Sequence, residues 1–331
     1  MAPKVLCTRI LPPAAQRRLE AQGFDLVQWK KDTAMPREEL LANVAGVDAV
    51  ICLLSDQIND ELLDHAGPQL KTIATMSVGY DHIDVDAVRA RGIHIGYTPD
   101  VLTDATADLT VLLTLAAARR MKEGIRAAEN GEWGEWRPTW LLGSQFTGKT
   151  LGVIGLGRIG EAVAKRLQAF GIQRTLYWGR KERPNAVNAE FASLDELLAQ
   201  SDYVVVCAAL TRATKHMLNY DAFKKMKRTA VFVNTARGGI VQQDDLVRAL
   251  EENLIASCGL DVTTPEPLPT DHRLYQFPNC TILPHIASAT IETREKMADM
   301  CVDNVLAGLS GAALPFAVPD QPSVLRKFFV Y

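Results

Sequence analysis

Three ionisable residues in the second half of the chain follow, or lie close to, apolar runs that are typical of buried strands. Arg237 follows "VFVNTA", Glu266 lies in "GLDVTTPEPLP", and His285 follows "CTILP". The carboxyl ends of parallel strands lie along one edge of a sheet, where ligands bind, so we expect these side chains to lie near one another. Two glycines, Gly238 and Gly239, follow the arginine and are expected to keep the space beside it open.

These three residue types suit the reduction of a 2-keto acid. Arginine presents a planar, permanently charged guanidinium that can hold a carboxylate and polarise a carbonyl group. Histidine can deliver a proton to the carbonyl oxygen near neutral pH. A carboxylate bonded to the other ring nitrogen would favour the imidazolium and fix its orientation. The same chemistry needs a hydride donor, for which the chain must provide a binding site.

A site for a nucleotide hydride donor is indicated by the segment "LGVIGLGRIGEAVAKRL", which contains the spacing G-x-G-x-x-G. The pattern ends an apolar strand and opens an amphipathic helix, and this context favours dinucleotide binding over a purely structural glycine turn. The first glycine permits a tight turn, the second lets the backbone approach a pyrophosphate, and the third lets the helix pack on the strand. We therefore predict that the cofactor's pyrophosphate is bound by Gly155, Leu156, Gly157, Arg158, Ile159 and Gly160.

The residues about twenty positions after this loop indicate which dinucleotide binds. Proteins that use NAD place an acidic residue there, which accepts hydrogen bonds from the ribose 2′-hydroxyl. This chain instead has Gly179, Arg180 and Lys181 in "YWGRKERP", and Arg180 could pair with a 2′-phosphate. We therefore predict NADPH as the cofactor, with NADH less favoured. Loop charges that simply face solvent are the alternative.

Short apolar strands alternate with amphipathic helical stretches along the chain, which predicts βαβ units and parallel sheets. A long helical run over 103–131 separates two such blocks, and an irregular, tryptophan-rich segment follows it. Six strands in the second block match a doubly wound, dinucleotide-type sheet. The predicted strands are 4–10, 47–54, 71–77 and 93–98 in the first block, and 150–157, 174–179, 203–210, 229–236, 256–262 and 280–286 in the second.

Composition narrows the possible partners and the compartment. The 331 residues are 47% hydrophobic and carry a formal net charge of −3, so nothing indicates a basic surface for nucleic acid or an anionic membrane. The six cysteines lie at least 21 residues apart, which excludes CxxC-type metal or redox motifs and favours buried reduced thiols. The N-terminus lacks an apolar secretory core. We therefore expect a cytoplasmic enzyme without a metal ion.

The glycine loop, together with "NTARGG", "GLDVTTPEP" and "LPHIAS", resembles the D-isomer-specific 2-hydroxyacid dehydrogenase family. The segments "LLSD", "TMSVGYDHID" and "RPTWLLG" are similar to the glyoxylate/hydroxypyruvate reductase branch of that family, and the resemblance extends from Val5 to about Pro315. It implies that Arg237, Glu266 and His285 are the catalytic residues. It also implies that the substrates are glyoxylate and hydroxypyruvate, reduced with NADPH to glycolate and D-glycerate.

The resemblance further implies a fold and additional site residues. Two Rossmann-like, doubly wound parallel-sheet domains are expected. One is a substrate-binding, flavodoxin-like domain of residues 1–102 and 288–331, discontinuous in sequence; the other is a dinucleotide-binding domain of residues 103–287 with a dimerisation segment at 119–146. The additional cofactor contacts would be Thr106, Leu210, Thr235, Asp261 (beside the nicotinamide amide) and Ser288. The substrate would be bound by Leu54, Ser77, Val78, Gly79 and, in a homodimer, Trp140 of the partner subunit.

Some features of the sequence leave alternatives open. The family usually has "HIGS" where this chain has Ala287 in "HIAS", and the extra methyl predicts either a tighter pocket or a change in packing alone. The tail 319–331 has no usable periodicity and no predicted role. Another D-2-hydroxyacid dehydrogenase, of D-lactate or phosphoglycerate type, is an alternative to the reductase. A non-catalytic, dinucleotide-sensing scaffold is a further one, because fold alone does not determine function.

Overall fold

The computed structural model describes residues 2–183, 186 and 188–319. All of the tail 319–331 except its first residue therefore lies outside the described residues. Within the described ranges, no helix is both long and apolar enough to cross a membrane. The same part of the chain contains no group of three or more His, Cys, Asp or Glu side chains that could hold a metal ion.

The chain folds into two compact units. Of the described residues, those up to Leu102 and from Ala289 onward form one unit, and those within Thr103–Ser288 form the other. Each unit has its own parallel sheet, of five and of seven strands, and its own hydrophobic core. The two predicted parallel-sheet α/β folds are thus confirmed. Ser288 falls in the second unit, one residue past the expected boundary.

The first unit alternates strands and helices, and its strands are all parallel. Its elements are β1 (Lys4–Cys7), α1 (Pro13–Glu20), β2 (Asp25–Gln28), α2 (Arg37–Asn43), β3 (Ala49–Cys52), α3 (Asp60–Ala66), β4 (Thr72–Thr75), α4 (Val85–Ala90) and β5 (His94–Gly96). The strand order β2-β1-β3-β4-β5 is the flavodoxin-like one. The inner strands β3 and β4 are buried along their whole length, as expected of strands covered on both faces.

The second unit follows the same alternation around a larger parallel sheet. Its elements are α5 (Thr103–Ala118), α6 (Met121–Glu129), β6 (Thr150–Ile154), α7 (Arg158–Ala169), β7 (Arg174–Trp178), β8 (Glu190–Phe191), α8 (Leu194–Gln200), β9 (Tyr203–Val206), α9 (Tyr220–Lys225), β10 (Val231–Asn234), α10 (Gln243–Glu251), β11 (Ser257–Leu260) and β12 (Cys280–Ile282). The strand order is β12-β11-β10-β9-β6-β7-β8. The order reverses between β6 and β9, and dinucleotides bind at such a reversal.

Both faces of the seven-stranded sheet are covered by apolar side chains. In β10, Val231 and Val233 belong to one core cluster, whereas Phe232 between them belongs to another. Successive side chains of a strand point to opposite faces, so the two clusters are the two layers of a doubly wound sheet. Two-sided burial explains why these strands read as continuous apolar runs in the sequence.

One helix returns the chain to the first unit. It is α11 (Ile291–Ser310), which packs on β3, β4, β5 and α1. The hydroxyl of Thr290 caps its first turn, and Gly311 ends it in the left-handed conformation with φ 75°. Threonine is a favoured residue at a helix N-terminus and glycine at a C-terminus, so both ends of α11 lie where the sequence favours them.

The structure differs from the sequence-based expectation in the helical run 103–131. The run is two helices, because Arg120 adopts a left-handed conformation with φ 53° between α5 and α6. Neither proline nor glycine occurs between 103 and 120, so the sequence has no breaker that predicts the interruption. After α6, the stretch to the start of β6 contains no helix or strand, in agreement with its irregular composition.

Candidate active site

Glu266 and His285 form a hydrogen-bonded pair on the loops that follow β11 and β12. Glu266 Oε2 lies 2.8 Å from His285 Nδ1, and Glu266 Oε1 accepts a hydrogen bond from the N–H of Thr263 at 3.0 Å. Partial burial favours a raised Glu266 pKa, but the bonds from His285 and Thr263 and the nearby charge of Arg237 outweigh it. The pKa of Glu266 therefore lies below its ordinary value. Since Nδ1 is engaged by the carboxylate, Nε2 is the ring nitrogen available for proton transfer.

Arg237 follows the neighbouring strand β10. Its backbone carbonyl accepts a hydrogen bond from the Asn234 amide at 2.9 Å, and its guanidinium donates to the carbonyl of Ala236 at 2.8 Å. Gly238, the next residue, packs against the backbone of Thr263, whose N–H binds Glu266, so the loops that carry Arg237 and Glu266 are in contact. The charge of Arg237 also contributes to the lowered pKa of Glu266. The structure thus brings together the three residues that the sequence singled out.

The two glycines after Arg237 do not leave open space, contrary to the sequence-based expectation. A Cβ on Gly238 would lie 2.0 Å from the carbonyl oxygen of Thr263, and a Cβ on Gly239 would lie 3.3 Å from a methyl carbon of Leu210. The absence of a side chain at Gly238 instead lets the arginine loop pack directly against the loop that carries Glu266.

The backbone of His285 is held by Asp261. His285 has φ 55°, a left-handed conformation that is uncommon for residues other than glycine. Its N–H donates to the carbonyl of Asp261 at 2.9 Å. The N–H groups of Ile286 and Ala287 donate to the two carboxylate oxygens of Asp261 at 2.8 and 2.9 Å. Burial raises the pKa of Asp261, and these two bonds oppose the rise. Contact between Asp261 and a nicotinamide amide stays a prediction.

The glycine loop has the shape that a pyrophosphate needs. Gly155 has φ 96°, and a Cβ there would lie 2.7 Å from the backbone of Ala208; a Cβ on Gly160 would lie 2.3 Å from the carbonyl oxygen of Gly155. A Cβ on Gly157, in contrast, would meet nothing within 4 Å. Helix α7 begins at Arg158 without a side-chain cap, and the N-terminus of a helix attracts anions such as a pyrophosphate. These residues fit a dinucleotide.

The loop after β7 supplies a cation that the sequence reasoning missed. Arg180 and Lys181 are exposed, whereas Arg183 donates to the carbonyl of Leu156 and lies 2.7 Å from Glu161 in the first turn of α7. Arg183 is therefore directly beside the glycine loop. Arg183 lies three residues after Arg180 in "GRKERP". The run of positive charges after β7 that pointed to Arg180 and Lys181 could also have identified Arg183.

A threonine cluster brings two of the predicted cofactor residues together. The hydroxyl of Thr110 in α5 donates to the carbonyl of Thr106 at 2.7 Å and lies 2.7 Å from the hydroxyl of Thr235, just after β10. Leu210 and Ser288 are both half-buried in the same unit. Their contacts with a cofactor stay predictions.

The predicted substrate residues of the first unit lie after two neighbouring strands. Leu54 follows β3 and is 37% exposed. Ser77, Val78 and Gly79 follow β4, and within the residues that the structure describes their N–H groups donate to no acceptor. Successive N–H groups can form an anion site called a nest, and we use that name for the three N–H groups of residues 77–79. Their binding of the substrate's carboxylate stays a prediction.

Trp140 lies in the irregular segment between α6 and β6. It is half-buried, and the guanidinium of Arg137 lies 4.5 Å from its ring centroid. The same segment exposes large apolar side chains, with Trp133 74%, Trp136 85% and Leu142 63% exposed. Exposed aromatic residues grouped in this way are typical of interfaces.

A seven-stranded parallel sheet with a glycine loop and an acid–base pair after its strands is the architecture of a dinucleotide-binding dehydrogenase. The chain belongs to the D-isomer-specific 2-hydroxyacid dehydrogenase family, whose NAD-binding domain matches residues 111–287. This confirms the family that the sequence motifs indicated.

Relatives cover almost the whole chain. It is 51% identical over 316 residues to a glyoxylate reductase/hydroxypyruvate reductase of Homo sapiens, covering 94% of this chain and 96% of the relative. The crystal structure of a Thermus thermophilus protein superposes with a TM-score of 0.90 at 46% identity, covering 95% and 99% of the two chains. An NADPH-dependent glyoxylate/hydroxypyruvate reductase of Sinorhizobium meliloti, solved with NADP and malonate, has a TM-score of 0.84 at 31% identity, covering 97% and 98%.

Proposed function

We propose that this chain reduces glyoxylate and hydroxypyruvate to glycolate and D-glycerate, using NADPH. The observation that carries the proposal is the 2.8 Å contact between Glu266 and His285, with Arg237 on the adjacent loop. A histidine oriented by a carboxylate is a general acid, and an arginine beside it binds an anionic substrate. Relatives named as glyoxylate/hydroxypyruvate reductases add support to this choice of substrates.

The roles of the catalytic residues follow from their contacts. When bound, the reduced nicotinamide supplies the hydride. His285 donates a proton from Nε2 to the carbonyl oxygen of the substrate, while Glu266 holds the Nδ1–H and stabilises the imidazolium. Arg237 binds the substrate carboxylate and polarises the carbonyl group. Asp261 keeps His285 in its left-handed conformation, which sets the direction of the ring.

The preference for NADPH is supported by the charges beside the glycine loop. Gly179, Arg180 and Lys181 carry no carboxylate for a ribose 2′-hydroxyl, and Arg183 adds a further guanidinium next to Leu156. Guanidinium groups bind phosphate bidentately and do not lose their charge. We therefore assign the 2′-phosphate to Arg180 and Arg183, with Lys181 contributing through its charge.

The substrate's carboxylate is assigned in part to the first unit. Ser77, Val78 and Gly79 offer their N–H groups, and Leu54 offers an apolar contact to a small substrate. Ala287 is 7% exposed, so its methyl group is part of the packed turn after His285. A tighter pocket for small acids is one consequence that we propose for this alanine.

We further propose that the chain acts as a homodimer in the cytoplasm, with no nucleic-acid or membrane partner. The dimerisation segment is 119–146, and Trp140 of the partner subunit contributes to the substrate site. The exposed Trp133 and Trp136 support an interface in this segment. The cysteines form no disulfide, and thiols of this kind suit a reducing compartment.

Steady-state oxidation of NADPH and of NADH with different 2-keto acids tests the function. We expect glyoxylate and hydroxypyruvate to be reduced, a lower KM for NADPH than for NADH, and a loss of at least about a hundredfold in kcat for His285→Ala. Pyruvate and phosphohydroxypyruvate, as the acids of the D-lactate and phosphoglycerate types, should be poorer substrates. If the wild type and His285→Ala are both inactive, the non-catalytic, dinucleotide-sensing scaffold is the remaining alternative. A clear preference for NADH would refute the cofactor assignment.

A further inference from the structure

The nest after β4 is supported by a chain of buried hydroxyl groups. Ser77 Oγ donates to the carbonyl of Gly79 at 2.7 Å. Thr75 Oγ1 lies 2.8 Å from Ser77 Oγ and 3.0 Å from His82 Nε2. Thr75, Ser77 and His82 are 0%, 4% and 9% exposed, so these bonds are shielded from water. The hydroxyl of Ser77 is therefore committed to the loop itself.

The donor and the acceptor in each of these hydrogen bonds follow from the number of hydroxyl hydrogens available. A carbonyl oxygen only accepts, so the single hydroxyl hydrogen of Ser77 goes to Gly79. Ser77 Oγ must then accept from the hydroxyl of Thr75, and Thr75 Oγ1 must accept from the Nε2–H of His82. The result is one continuous relay from His82 through Thr75 and Ser77 to the carbonyl of Gly79. Bonds in such a chain polarise and strengthen one another.

Backbone bonds fix the strand side of the nest, and the relay fixes its far side. The N–H of Met76 donates to the carbonyl of Cys52 at 3.0 Å, and the N–H of Thr98 donates to the carbonyl of Ser77 at 2.9 Å. The carbonyl of Gly79 is held by the Ser77 hydroxyl. These bonds hold peptide groups before, within and after the segment 77–79. Restraint of this kind favours anion binding, because donors that are ordered in advance lose less entropy when a ligand binds.

We propose that Thr75 and His82 are positioning residues for the substrate's carboxylate, acting through the Ser77 hydroxyl on the N–H groups of residues 77–79. The inference rests on the proposed function, because it takes the bound anion to be a small 2-keto acid. Neither residue touches the substrate. Their contribution is to binding in the ground and transition states alike, which alters KM and leaves kcat nearly unchanged.

Thr75→Val is the first test, because valine has a similar shape and lacks the hydroxyl that links His82 to Ser77. We expect the KM for glyoxylate and for hydroxypyruvate to rise about tenfold, and the dissociation constant of malonate, an unreactive dicarboxylate, to rise as much. The kcat and the KM for NADPH should change by less than about twofold. Thr75→Ser keeps the hydroxyl and should restore the wild-type values.

Thr72→Val is the matched control. Thr72 lies on the same strand and is likewise 0% exposed, but its hydroxyl is directed to the carbonyl of His94 at 3.4 Å rather than to the nest. The Thr72→Val substitution should leave the KM values and the malonate affinity unchanged. Thermal unfolding shows whether each variant is folded. Should Thr75→Val fail to fold, His82→Phe removes the donor at the other end of the relay and takes its place.

The outcomes separate the two proposals. If the wild type reduces 2-keto acids but Thr75→Val binds them and malonate as tightly as Thr72→Val does, the positioning role is overturned and the reductase stands. If the wild type reduces no 2-keto acid, but malonate binds and is weakened about tenfold by Thr75→Val, the reductase proposal fails and the nest stands. The inference is overturned if malonate binds neither to the wild type nor to Thr75→Val. It is also overturned if malonate binds with equal affinity to the wild type and to all variants.

Discussion

His285 shows how much of a catalytic residue can be predicted and where prediction stops. Its type, its position after an apolar strand and its partner Glu266 could all be inferred from the sequence. Its left-handed conformation could not, because the bonds that hold it run from backbone N–H groups to the buried carboxylate of Asp261. Backbone donors have no sequence signature. For the same reason, the packing of Gly238 against Thr263 was not anticipated.

The pairing of Glu266 with His285 predicts how the reduction depends on the carboxylate. Glu266→Gln removes the negative charge that orients His285 and stabilises positive charge on its ring, so kcat/KM should fall roughly a hundredfold at neutral pH. The pKa of Glu266 is lowered from 4.5, so the difference between wild type and variant should persist at that pH and shrink only as the pH falls further and the wild-type carboxylate gains a proton. The measurement is the pH profile of kcat/KM for glyoxylate. Asp271→Asn, an exposed carboxylate on the same connection, is the control, and coincident profiles for Glu266→Gln and wild type would contradict the role.

Gly157 and Gly238 should respond differently to the same added methyl group. A Cβ at Gly157 meets nothing within 4 Å, so Gly157→Ala should lower the free energy of unfolding by about 0.5 kcal/mol or less, while raising the KM for NADPH about tenfold. A Cβ at Gly238 would lie 2.0 Å from a backbone oxygen, so Gly238→Ala should cost about 2 kcal/mol of stability. Urea unfolding and cofactor kinetics of both variants check this. An unchanged KM for NADPH in Gly157→Ala would contradict pyrophosphate binding at the loop.

At the scale of elements, burial decided which strands could be predicted. Strands covered on both faces, such as β9 and β10, have continuous apolar sequences and were anticipated. The edge strands β2 and β8 were not, since β2 is at most half-buried and β8 is a short, exposed pair of residues. Each of these two edge strands forms because a neighbouring strand pairs with it, and its own sequence has little strand character. The periodicity of the local sequence therefore does not predict either strand.

Asp202, at the start of β9, predicts an acid-dependent part of the stability. It accepts from the N–H of Thr150 at 2.9 Å and lies 3.0 Å from Lys227; burial opposes these effects, but the net pKa of Asp202 is lowered from 3.8. The unfolded chain therefore binds the proton more readily, and the stabilisation is lost as the pH falls through the folded-state pKa. Asp202→Asn should lower the free energy of unfolding by about 1 kcal/mol at pH 7.

The difference between wild type and Asp202→Asn should shrink as the pH falls below 3.8, because the wild-type carboxyl then becomes neutral as well. Urea unfolding at a series of pH values measures it. Asp221→Asn is the control, since that side chain is 79% exposed and pairs with Lys224 only at 3.8 Å. A difference that stays constant with pH would show that the Asp202 charge is not the cause.

At the scale of the molecule, alternating strands and helices predicted two parallel sheets, but the order of strands could not be read from the sequence. The observed order has β6, which precedes the glycine loop, beside β9 in the middle of the sheet. The strands β10 and β12, which precede Arg237 and His285, belong to the same sheet. The exposed segment with Trp133 and Trp136 was recognised as unusual, yet a buried junction and a subunit contact predict the same composition. The two explanations differ in whether a second subunit covers the segment.

Mixing two defective variants tests whether Trp140 acts across a dimer. Trp140→Ala should raise the KM for hydroxypyruvate about tenfold, and His285→Ala should be nearly inactive. In a mixed dimer, the site that retains His285 receives the intact Trp140 of the partner subunit, so refolding the two variants together should restore a fraction of activity with the wild-type KM. Sedimentation establishes that dimers form. If the mixture shows only the raised KM of Trp140→Ala, the tryptophan acts within its own subunit, because a side chain acting in cis cannot be replaced from the partner.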